Sequence, residues 1–243
     1  MNILLVLAFL FSIGSLLGWV LEVFFRRFLS DANRERKWIN PGFLTGPCLP
    51  LYGAGLSVLY LLASLERYDM IVDPFWNKLC LFLVMMIAMT ALEYITGLAC
   101  LKWGNIRLWD YRDRWGNIKG IICPTLTLAW GCLGAFYYFL IHPHILDALS
   151  WLSQNLVFSF FIGMFFGVFL IDLVYSADIA TKVRRFAVDN EVIVKYETLK
   201  DHIRSARQNR KKRFFLFSFR SSRPLSEHLK EALVQFEQRR KKA

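Results

Sequence analysis

Five long apolar stretches run through residues 1–180 and constrain the fold of this chain more than any other feature of its sequence. A helix that crosses a bilayer needs about 20 predominantly apolar residues. One such stretch would also fit a buried helix of a soluble protein, but five in succession predict membrane spans. We place these spans at about residues 1–25, 43–65, 79–101, 121–141 and 156–180.

The composition supports this interpretation, because the chain is 56% hydrophobic and 20% charged. Soluble domains carry about 25% charged residues and about 45–50% apolar ones. So much apolar surface excludes a disordered chain. The first stretch lacks a basic start and a small-residue cleavage pattern, so we interpret it as a retained span rather than a signal peptide.

Lysine and arginine are distributed unevenly between the connecting segments. The segments 26–42 and 102–120 hold five each, 66–78 holds two, 142–155 holds none, and residues 181–243 hold eighteen. Loops on the cytoplasmic side of a membrane carry an excess of these residues. The alternation predicts an N-terminus outside the cytoplasm and a C-terminus inside it.

The net charge of +11 comes entirely from the predicted cytoplasmic tail, residues 181–243, because residues 1–180 carry 12 basic and 12 acidic residues. The tail is predicted to be helical and amphipathic. Its basic and aromatic run, 210–220, is expected to contact anionic lipid headgroups, and nucleic acid is a weaker rival. The apolar positions that predict the tail helices are Val192, Tyr196, Leu199, Ile203 and Ala206, then Leu229, Leu233 and Phe236 after Pro224.

The first four spans predict two parallel helix pairs related by an internal repeat, with the fifth span added. In both halves a glutamate is followed by a basic loop, an asparagine, a glycine, a proline and an aromatic-glycine pair. Ten residues separate Gly42 from Tyr52, and ten separate Gly120 from Trp130. Some transporters contain such parallel repeats. The residues expected to shape the backbone are Gly42, Pro47, Gly53, Gly120, Pro124 and Gly131.

Prolines and glycines also predict where each pair departs from regular helix. Glycine reaches backbone conformations closed to other residues, and proline removes a helical hydrogen bond. We therefore predict an irregular entry to the second span over residues 40–50, which hold three prolines. At Pro124 an ordinary turn with proline in the first helical turn remains an equal alternative.

Several polar residues lie where apolar ones are expected. Charged groups at membrane depth are costly and usually face a bundle interior or a cavity. Their positions predict one shared polar site that opens to the cytoplasm. The alternative is separate roles, such as a pairing of Glu22 with Arg26 one turn later. The candidate substrate-binding residues are Glu22, Asn40, Glu93, Trp109, Asp110, Asn117 and Asp172.

Motifs for catalysis and nucleotide binding are absent from the sequence. It contains no His-Glu-x-x-His zinc motif, no Gly-x-Ser-x-Gly elbow and no Walker A motif. The four histidines lie in the segment 142–155 and in the tail, away from the polar candidates. We therefore expect no catalytic residue, metal site or cofactor in this chain.

Two groups of motifs resemble a known family. The first is Gly-Trp-Val-Leu-Glu22, followed by the run from Asn40 to Gly53 with Pro-Gly-Phe-Leu-Thr-Gly-Pro-Cys-Leu-Pro inside it. The second comprises Leu-Glu93-Tyr-Ile-Thr-Gly, Trp109-Asp-Tyr, Asn117-Ile-Lys-Gly and the run Cys123–Gly131. Together, over about residues 10–180, they resemble the bacterial CmpB-like, type IV, ABC-transporter permeases.

This resemblance implies an integral protein of the bacterial cytoplasmic (inner) membrane that acts as a transporter component. An ABC-type permease would need a separate ATPase subunit. Assembly of this chain into a homo-oligomer is a further expectation. Two alternatives remain: an embedded enzyme acting on a lipid headgroup, and a non-catalytic scaffold that docks partners through its tail.

Overall fold

The computed structural model describes residues 2–30, 33, 36–65, 73–190, 193–196, 199–200, 225 and 227–231. Helices account for most of these residues, as predicted for an all-α membrane protein. A π-helical turn, Tyr137–Ile141, joins the fourth helix to the fifth, and a 3₁₀ turn, Leu156–Phe158, precedes the sixth. The helices are α1 (Ile3–Phe28), α2 (Pro50–Ser64), α3 (Pro74–Gly104), α4 (Pro124–Phe136), α5 (His142–Gln154) and α6 (Ser159–Asp189).

Four helical segments of the described chain are long and apolar enough to cross a membrane. The second predicted span, 43–65, is helical only as α2, which has 15 residues. At 1.5 Å per residue α2 is about 22 Å long, shorter than the ~30 Å hydrocarbon core of a bilayer. The four long segments are Ile3–Phe28, Pro74–Gly104, Pro124–Gln154 and Leu156–Asp189.

The residues before α2 take the irregular conformation that the prolines predict. Residues 41–49 are non-helical, and α2 begins at Pro50. Gly42 has a φ of +80°, and a side chain there would overlap Leu49. A residue other than glycine would therefore be strained by its backbone and by its neighbour. We refer to Asn40–Gly46 as the entry loop.

The segment 142–155, which we predicted to be a loop between two spans, is helical over His142–Gln154. Pro143 lies in the first turn of α5, where its missing N–H leaves no donor for the preceding turn. The π-helical turn Tyr137–Ile141 lies immediately before α5 and accommodates the missing donor. Within this region the hydroxyl of Tyr137 lies 2.9 Å from Nδ1 of His142. The helix continues because a π-turn, unlike a break, keeps the remaining backbone hydrogen bonds.

The chain divides into two compact units, to which α1, α3 and α6 each contribute residues. The first unit has a core of buried apolar residues that includes Leu10, Leu59 and Met85. The first unit comprises Met1–Gly18, Pro50–Thr96 and Asp110–Val168, and the second comprises Trp19–Leu49, Gly97–Trp109 and Phe169–Ala243.

The second unit contains a short parallel strand pair and the described part of the tail. Strand β1 (Ile106–Arg107) pairs with β2 (Val194–Lys195), with Ile106 opposite Val194. The core of this unit contains Val183 of α6 together with Tyr196, Leu199 and Leu229. Three residues of the predicted tail stripe are therefore buried. The remaining tail predictions, at Val192, Ile203, Ala206, 210–220, Pro224, Leu233 and Phe236, lie outside the described residues.

Candidate functional site

Glu93 is the most deeply buried carboxylate among the described candidates, with 4% of its surface exposed. It lies on α3 in the first unit. Nε1 of Trp130 donates a hydrogen bond of 2.8 Å to its Oε2, and the Tyr111 hydroxyl lies 3.3 Å from its Oε1. We refer to Glu93, Tyr111 and Trp130 as the Glu93 site.

The residue spacing on α3 places Glu93 on the buried face of this helix. Leu81, Met85, Met89 and Glu93 recur every four residues and are all buried, and residues at this spacing share one face of a helix. The carboxylate therefore continues an apolar stripe. Trp130 lies in the second turn of α4, and its ring lies 6.0 Å from that of Tyr52 on α2. Three helices of the first unit thus contribute to the surroundings of Glu93.

A buried carboxylate is stable only when its charge is hydrogen-bonded or neutralised. Trp130 contributes an N–H that can only donate, and Tyr111 contributes a hydroxyl. Both partners lie at a position where the surrounding helix faces are apolar. The arrangement can attract a cation or exchange a proton, which are the two ordinary functions of an acidic residue at membrane depth.

The loop between β1 and α4 holds Tyr111 in place. The backbone N–H of Tyr111 donates to the Gly120 carbonyl at 2.9 Å. Asn117 closes the loop, since its side-chain amide donates to the carbonyls of Arg112 and Arg114 and its oxygen accepts from the N–H of Gly120. Gly120 has a φ of +67°, which explains the need for glycine there.

Asp110 forms a salt bridge with its neighbour in the same loop. Nε and Nη2 of Arg112 lie 2.9 and 2.8 Å from its two carboxylate oxygens. The hydrogen bond and charge of Asp110 raise the pKa of the Arg112 guanidinium above its usual value. Because Arg112 is exposed, the pair contributes little to stability. The salt bridge joins Asp110 and Arg112, the two residues on either side of Tyr111.

Asp172 is the centre of a hydrogen-bond network in the second unit. Its Oδ2 accepts from the N–H of Gly46 at 2.9 Å, and its Oδ1 accepts from the hydroxyl of Thr45 and from the N–H of Thr45 at 3.2 Å. Ser176, one turn later on α6, adds its hydroxyl to the same N–H. The carboxylate thus binds the backbone donors of the entry loop.

Asn40 forms a hydrogen bond within the entry loop, and Lys200 forms hydrogen bonds to the loop from the tail. The amide of Asn40 donates to the Thr45 carbonyl at 2.7 Å and accepts from Nε1 of Trp19 at 2.7 Å. Nζ of Lys200 donates to the carbonyls of Asn40 and Gly42, at 3.2 and 2.6 Å. These contacts satisfy backbone groups that no helix or sheet pairs, as buried irregular segments require.

The candidate residues therefore fall into several arrangements within their own units. Asn40 and Asp172 meet through Thr45, whereas Glu93 is bound by Tyr111 and Trp130. Glu22 accepts from Nε of Arg26 at 2.7 Å, which is the pairing that we considered as its alternative role. Trp109 is half-buried beside Asp110. One shared site remains a prediction.

The sequence reasoning missed four side chains that take part in these networks: Trp19, Thr45, Ser176 and Lys200. Trp19 and Thr45 lie inside the two motifs that carry the family resemblance, which was the available signal. Lys200 follows Leu199 of the apolar stripe, and no sequence pattern marks it as buried. Among the described residues, no group of three or more His, Cys, Asp or Glu side chains could hold a metal ion.

Long apolar helices, with buried polar residues on three of them, define this chain as a multi-pass helical membrane protein. Residues 9–177 match the family described as "Putative ABC-transporter type IV", ABC_trans_CmpB. Because the match covers more than half of the chain, the protein belongs to this family, as the motifs predicted. Comparisons with curated proteins and with solved structures gave no match.

Proposed function

We propose that this protein is the membrane-embedded component of a transporter, and that the Glu93 site takes part in moving its substrate. The family supports the first part of this proposal. The single observation that carries the second is a carboxylate buried on a membrane-length helix, with two polar aromatic residues as its partners. Such residues are expensive in a membrane and mark pathways for ions or substrates.

The proposed setting is the cytoplasmic membrane of a bacterium, crossed five times, with the N-terminus outside and the C-terminus inside. In this arrangement the second span is residues 43–65, of which α2 is the helical part. Irregular backbone is tolerated at membrane depth when protein covers it, and the partners of the entry loop supply such cover. The left-handed conformations of Gly42 and Gly120, the two glycines matched in the repeat, support this part of the proposal.

The topology predicts the behaviour of reporter fusions. Green fluorescent protein fused after residue 243 should fluoresce, because it folds in the cytoplasm. Alkaline phosphatase fused after Asn155 should be active, because this segment is placed outside. The reverse pair of fusions, phosphatase at the C-terminus and fluorescent protein after Asn155, is the matched control. Activity of the reversed pair would contradict the proposed orientation.

Energy for transport would come from another subunit. The sequence has no Walker A motif, and the proposed source of energy is a P-loop ATPase that associates with this protein. The eighteen basic residues after position 180 are proposed to bind anionic headgroups of the inner leaflet. A homo-oligomer would place two copies of the Glu93 site in one assembly.

Replacing Glu93 by glutamine tests the role of its charge. Glutamine has the same shape and keeps an oxygen to accept from Trp130, so the protein should still insert and fold. We expect ATP-dependent accumulation of solute in inverted membrane vesicles to fall at least about tenfold, as for loss of a charged contact worth ~1.4 kcal/mol. The measurement is mass spectrometry of vesicle contents, with and without ATP, against vesicles lacking the chain.

The matched control is Asp178→Asn, which removes an exposed carboxylate whose partner is Lys182 and should leave accumulation unchanged. A solute that depends on the chain but not on Glu93 would contradict the role of the site. If no solute differs while lipid composition does, the protein is an enzyme rather than a transporter. If neither differs but deletion of residues 201–243 has a phenotype, it is a scaffold.

A further inference from the structure

The described tail residues Val194–Tyr196, Leu199 and Lys200 contact other segments of the second unit at three places, and we refer to them as the clasp. At the first place, β2 pairs with β1, and the N–H of Val194 donates to the carbonyl of Asn105 at 3.1 Å. Backbone pairing of this kind fixes the register of the clasp along β1. It does not depend on which side chains the clasp carries.

At the second place, Tyr196 packs on the entry loop. Its ring lies 5.9 Å from that of Phe43 in a stacked arrangement, and its hydroxyl lies 3.3 Å from the Phe43 carbonyl. Burial, with the charge of Asp172 as a further cause, raises the pKa of this phenol above its usual value. Tyr196 therefore remains a neutral donor at physiological pH.

At the third place, Lys200 inserts its ammonium into the entry loop. Only 2% of this residue is exposed, which is rare for a lysine because burying a charge is costly unless it is hydrogen-bonded. The carbonyls of Asn40 and Gly42 accept from Nζ, which also lies 5.2 Å from the ring of Tyr196. The contact replaces water around a charge with fixed dipoles and an aromatic face.

The entry loop consequently binds two side chains of opposite charge. Asp172 accepts from its N–H groups, and Lys200 donates to its carbonyls. Asp172 belongs to α6, whereas Lys200 belongs to a tail segment that follows the family match by 23 residues. Of the two side chains, Lys200 can move away from the entry loop without displacing a membrane-length helix, whereas Asp172 cannot, because it lies on α6.

We propose that the clasp is a conformational switch, in which Lys200 holds the entry loop closed and its withdrawal opens that loop. Withdrawal of Lys200 by a pull on the tail would remove the N–H donors from which the Asn40 and Gly42 carbonyls accept. Water would then replace them, and the loop would lose one of its two charged supports. Opening would expose Cys48, which is 7% exposed and lies two residues after the loop.

This proposal goes beyond the proposed function, and its test needs no transported substrate. A variant that retains Cys48 as its only cysteine is purified in detergent and treated with N-ethylmaleimide, which reaches either side of a membrane. Modification is followed by mass spectrometry. We expect Lys200→Gln to raise the modification rate of Cys48 by about tenfold. Val194→Pro, which removes the N–H that binds Asn105, should act in the same direction.

Two controls separate opening of the loop from general loosening. Lys182→Gln removes an exposed lysine of α6 that pairs with Asp178, and it should leave the rate unchanged. A second single-cysteine protein retains only Cys123, which is 2% exposed in the first unit. Its rate should not change in any of the variants.

The proposal is overturned if the Cys48 rate is the same in Lys200→Gln, Val194→Pro and the unmodified clasp. It is also overturned if Cys123 becomes reactive in step with Cys48, because the substitutions then unfold the protein rather than release a switch. Restoration of the slow rate by Lys200→Arg would support it, since arginine keeps the charge and the donors.

Discussion

Replacing Asp172 by alanine is expected to lower the free energy of unfolding by about 3 kcal/mol, the largest effect that we predict for a single side chain. The carboxylate accepts from two backbone N–H groups and one hydroxyl of the entry loop. Hydrogen bonds to a charged group are worth about 1.5–3 kcal/mol each, and a donor left buried without a partner costs about 1–3 kcal/mol. Some of the loss is recovered, because Asp172 is half-buried and water can reach its position.

The measurement is unfolding in mixed micelles with increasing SDS, followed by tryptophan fluorescence. Asp178→Ala is the matched control, because Asp178 lies on the same helix, is exposed and pairs with Lys182 one turn away. Its effect should stay below about 0.5 kcal/mol. Equal effects of the two substitutions would show that the entry loop does not depend on Asp172.

The comparison between these two aspartates explains what the sequence could and could not predict. Both lie in the same apolar stretch, and both are carboxylates on a membrane-length helix. Asp172 was a candidate because it is a charged residue at membrane depth, and Asp178 was not among the candidates. The partners of Asp172 are Thr45 and Gly46, more than 120 residues away in the sequence, and no periodicity reveals a pairing over that distance.

Helix positions were predictable because apolar composition and length are local properties. The π-helical turn before Pro143 was not, since proline and two histidines in a polar segment are equally typical of a loop. The pairing of β1 with β2 and the burial of Lys200 were likewise invisible. Two-residue strands leave no alternation to detect, and an isolated lysine is normally exposed.

The Glu93 site was predictable in part. Its acidic residue stood out in an apolar stretch, and Trp130 was already singled out through the repeat. The bond between them could not be derived, because it requires the crossing of α3 and α4 and the orientation of an indole. Sequence reasoning thus found the residues that are chemically unusual. It did not find which of them bind each other.

Replacing Gly53 by alanine is expected to separate α1 from α2 in the first unit. A Cβ at this position would lie 2.5 Å from the backbone carbonyl oxygen of Phe11 and closer still to the hydroxyl of Ser15. A side chain could rotate away, but the carbonyl belongs to a continuous helix and cannot. The helices must therefore move apart, which costs roughly 1–3 kcal/mol in a well-packed interior.

The cost is not confined to one contact, because small residues let helix backbones approach closely in membranes. Gly14 on α1 faces the same crossing, where Tyr52 and Leu56 of α2 lie about 3 Å from its own missing Cβ. A shift that relieves Gly53 therefore opens the packing along the crossing, and the loss should exceed that of one methyl overlap.

Thermal unfolding in detergent, read as the fraction that remains monodisperse after heating, measures this effect. Gly167→Ala is the matched control, since nothing lies within 4 Å of a Cβ added there, and it should be neutral or slightly stabilising because alanine favours helix over glycine. An equal loss from both substitutions would mean that glycine content, rather than close approach, determines stability. A loss confined to Gly53 would identify the crossing of α1 and α2 as the contact that tolerates no added methyl group.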